Sequence, residues 1–203
     1  MNMKYLIFDF DGVLGDTYEA RNSIVQEMEN KTLDEVILSG DQYMTKSNHT
    51  RADNPSVNKL TEMKAWVKKF GKLLIKNDFD LFTDFIEEIS KIKNTKLAVV
   101  SSGSIIYIKP KLENINLKFS HILTFEDHHS KEEKVERICK DWNVSTKDIY
   151  FFTDSISDVV ELENLVDKNK IYGCAWGYQG YEKLATVLDA KHIFKKYSDI
   201  HKI

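Results

Sequence analysis

Residues 4–17, K-Y-L-I-F-D-F-D-G-V-L-G-D-T, limit what this chain can fold into more than any other stretch. Tyr5, Leu6, Ile7 and Phe8 form an uninterrupted apolar run bounded downstream by Gly12 and Gly15. Such a run suits a strand covered on both faces, the strand of a parallel sheet, better than an amphipathic helix. Asp9 and Asp11 follow where the strand gives out. In an open α/β sheet that carboxyl edge is where ligands bind, so two carboxylates there are candidates for chemistry. The same D-x-D-G also suits a plain turn or a calcium-type loop.

The remaining pattern alternates helix and strand. Between residues 18 and 38, Ile24, Val25, Met28, Leu33, Val36 and Ile37 recur at helical spacing, with Thr32 and Glu35 offering a capping box. Residues 39–56 are polar and carry Gly40 and Pro55, which predicts a long loop. Ser56 opens a further helix whose stripe runs through Val57, Leu60, Met63, Val67, Phe70 and Leu74. A helix through Leu81, Phe85 and Ile89 leads to a strand at 96–100, which ends in Ser101-Ser102-Gly103. Helices at 105–113, 131–142, 156–165 and 182–188 then alternate with strands at 121–123, 149–152 and 171–174. Ser130 and Glu133 mark the start of the second of these helices, and Ser155 with Asp158 that of the third. The expected fold is α/β, a doubly wound, mostly parallel, Rossmann-like sheet. Residues 17–78 are too many for one crossover helix, so they read as a small helical cap domain inserted after the first strand. Residues 1–16 and 79–203 form the core.

Charge and composition narrow the function. A chain of 203 residues with 42% hydrophobic and 30% charged residues has enough material for a substantial core. A net charge of -3 offers no basic field for nucleic acid. No apolar run approaches membrane-spanning length, and the start of the chain carries no signal-like segment, so a cytoplasmic setting without membrane attachment is expected. Cys139 and Cys174 match no metal spacing and no C-x-x-C motif, which agrees with a reducing compartment. Cys139 falls on a buried helix stripe and reads as core.

D-x-D-G-V-L-x-D-T after an apolar strand, then Ser101, then Lys131, then Asp154-x-x-x-Asp158, resembles the four motifs of the haloacid dehalogenase superfamily of phosphotransferases. The resemblance covers nearly the whole core, and the cap is matched only in placement and helical character. It implies that Asp9 attacks phosphorus to form an aspartyl-phosphate, and that Asp11 protonates the leaving oxygen and later takes a proton from water. The second role calls for a raised pKa. It implies Mg²⁺ held by Asp9, the Asp11 backbone carbonyl and Asp154, with Asp158 supporting through water. Ser101, the backbone N–H groups near Ser102 and Gly103, and the Lys131 ammonium would bind phosphate oxygens. An acid at Asp11 disfavours the metal-free dehalogenase branch. Residues 173–184, G-C-A-W-G-Y-Q-G-Y-E-K-L, resemble a stretch of phosphoglycolate-phosphatase-like members, and suit equally well a Gly-rich turn packing Trp176.

Other readings of these residues stay open. Ser101 also suits a strand-ending cap, and Asp158 a capping box for its helix. Thr153 stands where the family usually has glycine, and Glu132 where it often has proline. His128 and His129 read as a solvated loop. The expected partner is a small phosphorylated metabolite, selected through Arg51 in the cap, with Lys46 and His49 as weaker candidates. A phosphomutase of the same superfamily and a catalytically idle ligand-binding member are the alternatives. A receiver domain is disfavoured by the order of lysine and acids, and a P-loop kinase by the missing G-x-x-x-x-G-K-[ST].

Overall fold

The structure, a computed structural model, describes residues 3–46 and 50–203, the side chain of Arg51 excepted. Its centre is β1 (Lys4–Phe8). Alternate residues of this strand bury on opposite faces: Leu6 and Phe8 join one apolar cluster and Ile7 the other. That two-sided cover is what the uninterrupted run predicts. β1 pairs in parallel with β4 (Thr95–Val100) on one side and β6 (Ile149–Thr153) on the other. With β5 (Phe119–Leu123), β7 (Ile171–Cys174) and β8 (Ile193–Phe194) the parallel sheet has six strands in the order β5-β4-β1-β6-β7-β8. The chain winds outward from β1 to β5, then returns to the other side of β1. The strand order therefore reverses at β1, and crevices at such switch points are where ligands bind.

Five helices flank the sheet: α4 (Thr83–Ser90), α5 (Ile105–Glu113), α6 (Lys131–Trp142), α7 (Ile156–Leu162) and α8 (Gly180–Leu184). The insertion leaves through β2 (Gly15–Asp16) and returns through β3 (Asp80–Leu81), which pair antiparallel. Between them lie α1 (Tyr18–Glu29), α2 (Leu33–Thr45) and α3 (Val57–Asn77). α1 packs on both α2 and α3, α3 packs on α5, and α2 packs on α7. Among the described residues, no helix is long and apolar enough to cross a membrane.

Two sequence expectations are corrected here. The loop expected at 39–56 begins later, because α2 continues through Ser39 and Gly40 to Thr45. Tertiary contacts hold that last turn: Ser155 donates to the Met44 carbonyl at 3.3 Å, and Lys183 pairs with Asp41 at 2.5 Å. Such contacts override the low helix propensity of Ser and Gly. The helix expected at 182–188 is shorter and starts earlier, at Gly180.

Candidate active site

The carboxyl ends of β1, β4 and β6 open into one cavity of about 740 Å³. Asp9 and Asp11 follow β1, Ser101 follows β4 and Asp154 follows β6. All four line the cavity, with Lys131, Asp158, Ser102 and Gly103. The eight core residues singled out from sequence are thus brought together. Of the cap candidates, Lys46 is exposed, while His49 and the side chain of Arg51 lie outside the described residues.

Lys131 organises the floor. It is 2% exposed, and its Nζ donates to Asp9 Oδ2 and to Asp158 Oδ2, both at 2.7 Å. Burial opposes its charge, yet Asp158 and Asp9 outweigh burial and hold the ammonium above its ordinary pKa. Asp9 also accepts from the Phe10 N–H at 2.7 Å, and burial pushes its carboxyl up against the pull of Lys131. Asp158 does not close the capping box expected with Ser155, which makes no side-chain cap bond. Its Oδ2 accepts instead from Lys131 and from Thr153 Oγ1 at 2.6 Å. Thr153, at the position where glycine is usual, thus adds a hydroxyl donor to the same Asp158 oxygen that the lysine holds. Ser101 Oγ accepts from the Gly103 N–H at 2.9 Å, so that N–H closes a local turn and the serine keeps its own proton to donate.

Asp11 is held differently. Thr17 Oγ1 donates to its Oδ1 at 2.8 Å and Tyr107 OH to its Oδ2 at 2.6 Å. Burial raises its pKa, and these two hydrogen bonds only moderate the shift. Asp154 sits in a tight cradle. A Cβ on Gly12, whose φ is +72°, would lie 1.9 Å from Asp154 Oδ2, and one on Gly177 would lie 2.3 Å from its Cβ. Only glycine permits both approaches. The Tyr178 N–H reaches Asp154 Oδ2 at 2.6 Å, and the Tyr178 hydroxyl bonds Thr17. The Trp176-Gly177-Tyr178 turn is therefore a wall of the site as well as a packing element.

Three buried carboxylates, Asp9, Asp154 and Asp158, face one ammonium at the floor. Burial first, and then the charge of Asp158, pushes Asp154 up to about 7. Among the described residues, no three His, Cys, Asp or Glu side chains are gathered to chelate a metal by themselves. The donor set still fits Mg²⁺, which takes one or two carboxylates and keeps its remaining positions for water and phosphate oxygens. All candidate donors are oxygens, and their surplus negative charge is what a hard cation relieves.

Sequence reasoning missed several residues that shape the site. Glu161, three positions after Asp158, accepts from the Lys131 and Glu132 N–H groups at 2.6 and 3.3 Å. A proline at 132 would remove the second donor, so Glu132 and this cap belong together. Lys134, three positions after Lys131, donates to the Ser101 carbonyl at 2.7 Å. Both share a helix face with a recognised residue, the one signal that pointed to them. Arg21, on α1, lines the cavity from the cap. It lies four residues from both Thr17 and Val25, a cation on an otherwise buried face. Tyr107 had no signal in the sequence.

The family model described as haloacid dehalogenase-like hydrolase matches residues 6–161. No curated protein matches the chain. Solved structures of similar fold include a predicted phosphatase from Clostridium acetobutylicum, 18% identical with a TM-score of 0.71, covering 100% of this chain and 98% of that one. A predicted phosphoglycolate phosphatase from Haemophilus somnus 129PT is 19% identical, with a TM-score of 0.67 and the same coverage. A haloacid dehalogenase-like family hydrolase from Streptococcus pneumoniae is 14% identical, with a TM-score of 0.70, over 98% of this chain and 97% of that one. At such identities the likeness is one of fold.

Proposed function

The chain belongs to the haloacid dehalogenase-like hydrolase family, and from that premise we propose that it is a Mg²⁺-dependent phosphatase of small phosphomonoesters, of the phosphoglycolate-phosphatase-like branch. Residues 17–78 act as its cap, and the two buried, unpaired cysteines suit a cytoplasmic setting. The observation that carries the reading is the convergence of Asp9, Asp11, Ser101, Lys131 and Asp154 on one cavity.

Phosphoryl transfer depends chiefly on positioning and charge. An Asp9 oxygen attacks phosphorus, the bond from phosphorus to the substrate's ester oxygen breaks, and Asp11 gives its proton to that leaving oxygen. Water then attacks the aspartyl-phosphate, Asp11 takes a proton from it, and orthophosphate leaves as the Asp9 carboxylate is regenerated. Burial prepares Asp11 for this work by raising its pKa, while Thr17 and Tyr107 fix its orientation. Lys131 holds Asp9 in place and offers its charge to phosphate oxygens, and Ser101 contributes its hydroxyl proton. Asp9 and Asp154, with the Asp11 backbone carbonyl, would hold Mg²⁺, and Asp158 would support them. When bound, the cation offsets the repulsion between the attacking carboxylate and the phosphate.

The test is phosphate release from p-nitrophenyl phosphate. Mg²⁺ should be required, EDTA should abolish release, and Asp9→Asn should lower kcat by roughly 10³-fold or more. Turnover by Asp9→Asn at the wild-type rate would remove Asp9 as the nucleophile, and full activity in EDTA would remove the metal.

A further inference from the structure

The cavity has two halves of different chemistry. Its floor is the charged set just described. Its roof comes from the cap, where the apolar and aromatic side chains of Val25 on α1, Tyr43 on α2, and Met63, Trp66, Val67 and Phe70 on α3 share the lining with the charged Glu29, Lys31, Lys59 and Glu62. Volumes of roughly 300–1,000 Å³ are those of sites for drug-sized molecules. A two-carbon acid on the phosphate would fill little of about 740 Å³ and leave this apolar lining against water. Trp66 gives the roof a shape. Its ring stacks on Phe70 with centroids 5.2 Å apart and planes 7° from parallel, yet the residue remains 40% exposed. A flat surface backed by a second ring suits a planar group better than a flexible chain. Arg21 adds a further cation to the lining: half-buried, its Nη1 donates to Asn22 Oδ1 at 2.7 Å and to the Val36 carbonyl at 3.5 Å, and among the described residues no ion pair holds it. A guanidinium only donates, so a group lying against it should present acceptors.

We propose that this roof is a pocket for a planar heteroaromatic group stacking on Trp66, so that the substrate is a phosphomonoester of a bulky, ring-bearing alcohol. The proposal rests on the phosphatase reading and names its substrate class. Stacking of a base on an aromatic side chain corresponds to roughly five- to a hundredfold in affinity.

The test compares kcat/KM of the wild type, Trp66→Ala and Trp66→Phe on three kinds of ester. Adenosine 5′-monophosphate and pyridoxal 5′-phosphate carry rings, 2-phosphoglycolate and glycerol 3-phosphate are small, and hexyl phosphate is apolar but not flat. The ring-bearing esters should be preferred by about tenfold or more. Trp66→Ala should lower their kcat/KM at least about fivefold more than that of the small esters, chiefly through KM, and Trp66→Phe should restore most of the loss. Three results would overturn the pocket: preference for the small esters, preference for hexyl phosphate, or equal losses on every ester. The last would make the roof a closing surface. Calorimetric titration with adenosine 5′-monophosphate and Mg²⁺ separates the two readings. Binding that Trp66→Ala weakens, without turnover of any ester, keeps the pocket and removes the phosphatase. Neither binding nor turnover removes both.

Discussion

Lys131 and Lys134 lie three residues apart on α6, and both are buried, yet they meet opposite fates. Lys131 has two carboxylates and keeps its charge. Lys134 has the Ser101 carbonyl, and burial, aided by the neighbouring charge of Lys131, pushes it down to about 7. The unfolded chain holds that proton to a pH of about 10.4. Between pH 7 and 10 the unfolded state therefore binds more protons, so stability rises with pH across that window and is lost as pH falls toward 7. Lys134→Met removes the titration. Urea unfolding should show the stability of wild type relative to this variant improving by on the order of 2 kcal/mol from pH 6.5 to pH 9.5. A difference that stays constant with pH would mean that Lys134 keeps its charge in the fold. Lys131 was legible in the sequence because its place among the acids is fixed by order along the chain. The lowered pKa of Lys134 was not, because it depends on everything packed around it.

Helix starts divide by the distance of their partners. The capping box of Thr32 and Glu35 forms with both arms, since every group in it is local. The starts nearest the site draw on distant partners: α6 adds Glu161 of α7 to its local Ser130 cap on the Glu133 N–H, α5 adds Glu126 from beyond β5 to its local Ser104 cap, and α7, without a local side-chain cap, relies on Gln179 from the turn before α8. Gln179 Oε1 accepts from the buried Ile156 N–H at 2.6 Å. Truncation to alanine leaves that donor without a partner, which costs about 1–3 kcal/mol. Gln179→Ala should lose that much in chemical denaturation, and a change below about 0.5 kcal/mol would mean that another group satisfies Ile156. Such long-range caps carry no local pattern, which is why the sequence suggested Ser155 with Asp158 instead. The same reason hid β2, β3 and β8, each two residues long and defined by a distant partner. The longer strands were legible because an apolar run keeps its meaning wherever its neighbours come from.

At the scale of the whole molecule, activity in this reading depends on how the helical insertion is seated on the sheet domain. The sequence showed that an insertion exists but not its seat, because contact between α3 and α5 requires two surfaces distant along the chain to match. Gly71 on α3 lies in that contact, against Ser104 and Tyr107 of the α5 start. A Cβ there would lie 2.8 Å from Ser104 Cβ and 3.4 Å from Tyr107 Cδ1. Neither neighbour yields easily. Ser104 caps α5 through the Ile106 N–H and is anchored to Glu126, and Tyr107 is buried with its hydroxyl on Asp11. One methyl group at Gly71 thus presses on the residue after the Ser101-Ser102-Gly103 turn and on the residue that orients Asp11, while touching neither the phosphate nor the metal ligands. Two effects on stability oppose each other: alanine favours the helix by about 1 kcal/mol, and overpacking costs about 1–3 kcal/mol. Gly71→Ala should therefore unfold at a urea concentration near that of the wild type or slightly lower. Activity has no such compensation, since a misplacement of about 1 Å costs up to about 10²-fold. The expected result is a fall in kcat/KM of about tenfold or more with little change in stability. Unchanged kinetics with a gain in stability would show that α3 slides over α5 without moving Ser104 or Tyr107, and the seat of the cap would then have no hold on the catalytic groups.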